Sequence, residues 1–239
     1  MLLVGWFFLL LFSSNMAELT ATYTTNGPVA QRIASSIPYF PFKGIDRFYD
    51  IGGMLAHPEI FQLAIDSYVD KYKDIDITSI AGFDARGFIL GPPIALALKK
   101  PFIMLRKAGK MPNAITGSEY KKEYEGDNAA GGDTLGIQRG AVKPGDRVLL
   151  VDDLVATGGT LLAGIELVKQ LGGSVVECAC MVELQALGAA NRIAEQHPEI
   201  AVWGLISEQI LTRDGEAELQ ADAAAADTAA GQGEPTQEL

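Results

Sequence analysis

The stretch with the densest chemical content is Arg147-Val-Leu-Leu-Val-Asp-Asp-Leu-Val-Ala-Thr-Gly-Gly-Thr160. It reads as an apolar strand that ends in two carboxylates, Asp152 and Asp153. A tight loop, Ala156–Thr160, then runs straight into a helix. A loop of this kind turns several backbone N–H groups toward one point at a helix N-terminus. The helix dipole adds to them, and together they bind a phosphate. Gly158 and Gly159 allow close backbone approach, and the hydroxyls of Thr157 and Thr160 can donate to phosphate oxygens. Acids in contact with a phosphate would repel it. Set a few ångströms away, the same acids accept hydrogen bonds from sugar hydroxyls. The chemistry expected is therefore recognition of a sugar phosphate. A lone Asp-Asp is ordinarily a turn or a cap, and a lone Thr-Gly-Gly-Thr a turn; the two in register on one strand–loop–helix unit carry the reading. Gly82-Phe-Asp-Ala-Arg-Gly87 has the spacing of a nucleotide loop but is followed by Phe88-Ile89 where Lys-Ser/Thr is needed, and no G-x-G-x-x-G follows a strand.

Such a unit needs a sheet behind it. Strand signals fall at Thr78–Ala81, Phe102–Leu105, Arg147–Val151, Ser174–Val182 and Ala201–Ile206. Helix signals fall at Asn26–Ile37, Pro58–Tyr72, Phe88–Leu98 and Thr160–Leu171. Phe61, Ile65, Tyr68 and Tyr72 form one apolar stripe on the second helix. Alternation of strand and helix predicts an α/β fold: a mainly parallel, twisted sheet flanked by helices on both faces, with ligands beyond the carboxyl ends of the strands. A long polar loop is expected over Lys107–Asp133.

Composition limits the partners. The 239 residues carry a net charge of -11, which speaks against nucleic-acid binding. Much of that charge lies in Arg213–Leu239, with seven acids and one base. An anionic substrate must be held by local cations, since the overall field repels it. Cys178 and Cys180 share a face of their strand at a spacing too short for a normal disulfide, and read as buried thiols in a reducing compartment. His57 and His197 stand alone, without a zinc pattern.

The Asp-Asp and Thr-Gly-Gly-Thr segment closely resembles the phosphoribosyl pyrophosphate (PRPP) motif of type I phosphoribosyltransferases. Further segments resemble adenine phosphoribosyltransferases in particular: Phe40-Pro-Phe-Lys-Gly44 with Arg47-Phe-Tyr-Asp-Ile51, Ala81–Phe88, Met104–Pro112 and Ser118–Tyr124, all in the family's order. The likeness covers about 28–206. It implies the type I phosphoribosyltransferase fold with a small N-terminal hood at about 26–55, and purine salvage: transfer of the phosphoribosyl group to adenine, giving AMP and pyrophosphate. It implies Mg²⁺ bound through PRPP with no direct protein ligand, a cytoplasmic homodimer, and neither nucleic acid nor membrane as partner.

Site roles follow from the same resemblance. Asp152 and Asp153 hold the ribose 2′- and 3′-hydroxyls, and Ala156, Thr157, Gly158, Gly159 and Thr160 anchor the 5′-phosphate. Arg86, Arg106, Lys107 and Lys110 match the pyrophosphate set, with Tyr124 among the PRPP-binding residues. Arg86, Asp152 and Asp153 are expected to act in catalysis together with Glu123, the acid/base. Ile45, Arg47, Phe48 and Leu154 are expected around adenine. A non-proline cis bond is implied between Asp84 and Ala85, and a closing loop at Pro112–Asp133. The sister hypoxanthine-guanine enzymes carry an Asp just before the Thr-Gly of this loop, where this chain has Ala156, so the purine carboxylate must come from elsewhere or go unused. Transferases for another base (xanthine, orotate) and a non-catalytic PRPP-binding regulator are the alternatives.

The ends lie outside the resemblance. Residues 1–15 begin with an apolar run, MLLVGWFFLLLF, too short to span a bilayer easily. The run reads as an extension outside the fold, with Met16 as a natural start, a targeting segment or a structural piece as its possible origins. The domain proper is expected at 16–212, and 213–239 as an acidic disordered tail.

Overall fold

Strand β7 (Arg147–Val155) is buried on both sides, and its alternation explains the layers around it. Leu149 and Val151 face one core, while Val148 and Leu150 face another. The first core is closed by α1 (Pro28–Ala34), α2 (Gly52–Ala56), α3 (Pro58–Tyr72) and α4 (Gly87–Ala97) through Ile33, Met54, Tyr68, Tyr72, Leu90 and Ile94. The second is closed by α5 (Gly159–Gln170) and α6 (Ala189–Gln196) through Leu161, Ile165, Val168 and Ile193. A strand covered on both faces has no polar alternation, and this is why the run from Val148 to Val151 is continuously apolar. Our computed structural model describes residues 22–42, 44–120 and 133–213.

The main sheet has seven strands in the order β5-β6-β4-β3-β7-β8-β9. The remaining strands are β3 (Ser79–Phe83), β4 (Phe102–Lys107), β5 (Ala114–Tyr120), β6 (Asp133–Gln138), β8 (Ser174–Glu183) and β9 (Ala201–Ser207). β4, β3, β7, β8 and β9 pair in parallel, while β6 joins β4, and β5 joins β6, antiparallel. An antiparallel hairpin of β1 (Tyr39–Phe42) and β2 (Ile45–Tyr49) stands apart from this sheet. The expected α/β architecture with a small N-terminal hood is thus present.

Four details differ from the sequence expectations. Segment 107–133 is a loop only in part, because β5 and the start of β6 form an antiparallel edge. The central strand runs four residues past Val151, since β8 continues to pair with it as far as Val155 and Glu183. Asp152 and Asp153 therefore lie within the strand. The first helix ends at Ala34, with single turns closing on Ser36 and Ile37. Two short helices, α2 and α6, had too few residues for a readable period. Cys178 and Cys180 are buried thiols, as expected.

Candidate active site

The carboxyl ends of β3 and β7 lie side by side, and the loops leaving them build the site. From β7, Asp153 is buried and Asp152 half-buried. The Asp153 backbone N–H donates to Asp152 Oδ1 at 2.9 Å, fixing the Asp152 side chain against the following peptide. From the β3–α4 loop, Arg86 Nε lies 2.8 Å from Asp153 Oδ2. Alignment there is poor, and Oδ2 has no hydrogen-bond partner of good geometry. The site therefore holds a buried carboxylate oxygen with ion-pair compensation and an unsatisfied acceptor.

These surroundings govern the protons. Burial pushes the Asp152 carboxyl well above the ordinary carboxylate range, and the neighbouring Asp153 charge pushes the same way; the Asp153 N–H and Arg86 oppose them. Burial also raises Asp153, with Arg86 the largest opposing influence. The pair is thus poised to gain from any ligand that supplies hydroxyl donors or positive charge.

The loop after Val155 leads into α5 as expected. Gly158 is its N-cap residue, at φ +80°, the left-handed region that glycine reaches without penalty. Ala156 is buried, Thr157 and Thr160 are half-buried, and Gly158 and Gly159 are buried. The N-cap glycine has no side chain to cap the helix, and the positive end of the helix dipole faces this loop. On the opposite loop a non-proline cis bond joins Asp84 and Ala85, at the expected position. Gly87 packs so closely on β7 that an added Cβ would lie 2.7 Å from the Val151 carbonyl oxygen.

The cations divide into two sets. Arg86 is held by Asp153, and its guanidinium also lies 5.3 Å from the Phe48 ring centroid, linking the hood hairpin to the carboxylates. Arg106 donates from Nε to Asp84 Oδ2 at 2.8 Å and from Nη1 to the Lys110 carbonyl at 3.3 Å. Lys107 and Lys110 close a turn beyond β4, the Lys110 N–H donating to the Lys107 carbonyl. Asp84, expected from the sequence only as one side of the cis bond, is the anchor that aims Arg106; its place in the Ala81–Phe88 motif was the signal.

Of the residues expected around adenine, Ile45 and Phe48 are half-buried on β2, and Arg47 is exposed with its guanidinium 5.2 Å from the Tyr39 ring centroid. Leu154 is buried in the first core, between the two carboxylates and the loop. Glu123 and Tyr124 lie outside the described residues, as do residues 1–15, the Lys121–Gly132 part of the expected closing loop, and the tail beyond Arg213.

Comparison with known proteins bears on this arrangement. The sequence pattern of the Phosphoribosyl transferase domain matches residues 51–216. The chain is 48% identical over 168 residues to adenine phosphoribosyltransferase 1 of Triticum aestivum, covering 69% of this chain and 89% of that protein. It is 45% identical over 191 residues to the chloroplastic adenine phosphoribosyltransferase 1 of Arabidopsis thaliana, covering 77% of this chain and 76% of that one. Among solved structures it superposes on the adenine phosphoribosyltransferase of Trypanosoma brucei in complex with AMP, pyrophosphate and ribose-5-phosphate. The TM-score is 0.74 and the identity 32%, over 80% of this chain and 84% of that one.

Proposed function

The chain belongs to the phosphoribosyltransferase family and, within it, to the adenine phosphoribosyltransferases, and from that premise we propose that its site transfers the phosphoribosyl group of PRPP to adenine, giving AMP and pyrophosphate. One observation carries the assignment: the Asp152–Asp153 pair and an uncapped, glycine-turned helix N-terminus lie on one continuous strand–loop–helix unit. A single ribose 5-phosphate fits both, its hydroxyls on the acids and its phosphate on Ala156–Thr160. Asp153 Oδ2, buried and short of a well-aligned donor, supports the hydroxyl contact.

In the reaction an adenine ring nitrogen bonds to the ribose anomeric carbon as the bond from that carbon to pyrophosphate breaks. Positive charge develops on the sugar, and the buried carboxylates beside it stabilise that charge. Arg86, Arg106, Lys107 and Lys110 neutralise the leaving pyrophosphate, Arg86 doing so by turning from Asp153. Glu123 takes the purine proton, with Tyr124 beside it on the loop that closes over PRPP and keeps water out. Adenine rests against Ile45, Arg47 and Phe48, with Leu154 beneath. The Phe48–Arg86–Asp153 chain of contacts supports this, because it puts the hood next to the sugar site. Adenine offers a donor at its six-position and an acceptor at N1; hypoxanthine reverses both, and each buried mismatch costs about 1–3 kcal/mol.

Mg²⁺ fits as an ion carried in on PRPP, for a carboxylate pair held above its ordinary range by burial and mutual repulsion favours arriving positive charge. When bound on PRPP, with no direct protein ligand, it would supply positive charge against the leaving pyrophosphate beside Asp152 and Asp153. We take 16–212 as the catalytic domain with 26–55 as its hood. Apolar side chains left exposed on α4 and β4, Leu96 and Met104 among them, support a homodimer. The two core thiols support a reducing compartment, the cytoplasm. No helix among the described residues is long and apolar enough to cross a membrane.

The test is a panel of bases with PRPP and Mg²⁺. AMP formation from adenine is expected, with hypoxanthine, guanine, xanthine and orotate far behind. Equal or better turnover with another base overturns the specificity. Binding of PRPP without turnover of any base favours a regulator.

A further inference from the structure

An acid stands among the cations assigned to pyrophosphate. β3 and β4 pair in parallel with Phe83 beside Leu105, so the next residues out, Asp84 and Arg106, leave the paired segment side by side. The Asp84 N–H donates to the Leu105 carbonyl at 3.0 Å, which fixes the acid's backbone to β4. Its Oδ2 accepts from Arg106 Nε at 2.8 Å. Arg106 passes the hold on: Nη1 donates to the Lys110 carbonyl at 3.3 Å, and the guanidinium carbon lies 5.9 Å from the Phe88 ring centroid. Phe88 is in turn set edge-on against Phe102, at 6.0 Å and 90°.

The guanidinium is a planar fork, so holding Nε and Nη1 also sets the direction of Nη2. The Lys110 carbonyl belongs to the turn in which the Lys110 N–H donates to the Lys107 carbonyl at 3.1 Å. Asp84, Arg106 and Lys110 therefore form a strut from the β3–α4 loop, which carries Arg86, to the turn beyond β4, which carries Lys107 and Lys110. A carboxylate in this place has two effects of opposite sign on an anion. Its charge repels the anion and offsets that of Arg106; the Arg106 and Asp84 side chains are 32% and 27% exposed, so water screens this effect. Its hydrogen bond presents the fork in one orientation, and a donor already aimed loses less entropy on binding.

We propose that Asp84 is a positioning residue for the leaving pyrophosphate: through Arg106 it locks the Lys107–Lys110 turn to the loop of Arg86, and this aim outweighs the repulsion of its own charge. The inference rests on the assignment of Arg86, Arg106, Lys107 and Lys110 to pyrophosphate. It predicts a sign. If the acid only offset Arg106, removing it would release positive charge and tighten the anion. As an aiming group, its removal weakens pyrophosphate and spares AMP, whose ribose and 5′-phosphate lie on the β7 side.

Calorimetric titration of the full-length protein with pyrophosphate and Mg²⁺ and, separately, with AMP tests it. Asp84→Ala is expected to weaken pyrophosphate about five- to twentyfold, the range of a charge-assisted hydrogen bond partly lost, with AMP affinity unchanged. Asp84→Asn, which keeps an acceptor of the same shape, is expected to lose less in the same direction, and it carries the test if melting shows that the Ala variant does not fold. In an Arg106→Gln background the same Asp84 change is expected to cost nothing further, since its route is gone. In the reverse reaction the KM for pyrophosphate rises while that for AMP holds. Pyrophosphate affinity unchanged or raised on removal of the acid overturns the proposal, as does an equal loss for AMP, or a loss just as large without Arg106. Wild-type protein that binds neither ligand overturns the functional assignment itself.

Discussion

Replacing Asp152 by Asn separates what the site needs for chemistry from what the fold needs for stability. Asn keeps the Oδ1 acceptor that receives the Asp153 N–H at 2.9 Å, removes the charge and puts an NH₂ donor in place of the second carboxylate oxygen. Burial and the Asp153 charge hold the Asp152 carboxyl well above its ordinary range. The folded chain thus binds this proton more tightly than the unfolded chain. Stability from this group is fully present below the unfolded value, about 3.9, and is lost as pH rises toward the folded one. Each pH unit crossed in that window costs about 1.4 kcal/mol. At neutral pH the wild type bears the penalty built up across that window and Asp152→Asn bears none, so the ligand-free variant is expected to be the more stable. One kcal/mol moves the melting temperature of a domain this size by about 2–4 °C. Turnover moves the other way: a hydrogen bond to a charged acceptor is worth about 1.5–3 kcal/mol, so PRPP affinity is expected to fall about ten- to a hundredfold, adenine affinity much less. Calorimetric melting of both proteins from pH 4 to 8 without ligand, with PRPP titration at pH 7.5, decides it. A variant less stable than wild type at neutral pH, or a gain that fails to shrink toward pH 4, refutes the electrostatic reasoning.

Asp153→Asn also removes charge from a hydroxyl acceptor but strands Arg86, now paired at 2.8 Å; loss of PRPP affinity without the stability gain of Asp152→Asn is expected in the same assays. Glu123→Gln should lower kcat by about 10²–10⁴-fold, the scope of general acid–base help, with little change in PRPP affinity, and Glu119→Gln should be mild. Turnover of the Glu123 variant within about threefold of wild type would overturn its acid–base role. Gly87→Ala drives a methyl to within 2.7 Å of the Val151 oxygen; a destabilisation of about 1–3 kcal/mol by denaturant unfolding is expected, typical of overpacking. Removal of residues 1–15 should leave activity intact and improve solubility, as read from yield and steady-state rate.

The amino-acid sequence by itself determined the strand–loop–helix unit from Arg147 to Leu171, because every device in it is local: an apolar strand, two acids, and glycines where the backbone must turn and approach closely. It also carried the parallel α/β class and the Asp84–Ala85 position, through motifs whose residues are near neighbours in the chain. Tertiary structure alone decided which groups meet across the sheet. That Arg86 pairs with Asp153, across 67 residues of chain, follows from β3 and β7 lying side by side, a register that no single segment encodes. That the acids lie inside β7 was decided by β8, whose pairing extends the strand to Val155. The edge strands β5 and β6 were hidden in a polar stretch, because a surface edge demands little apolar alternation.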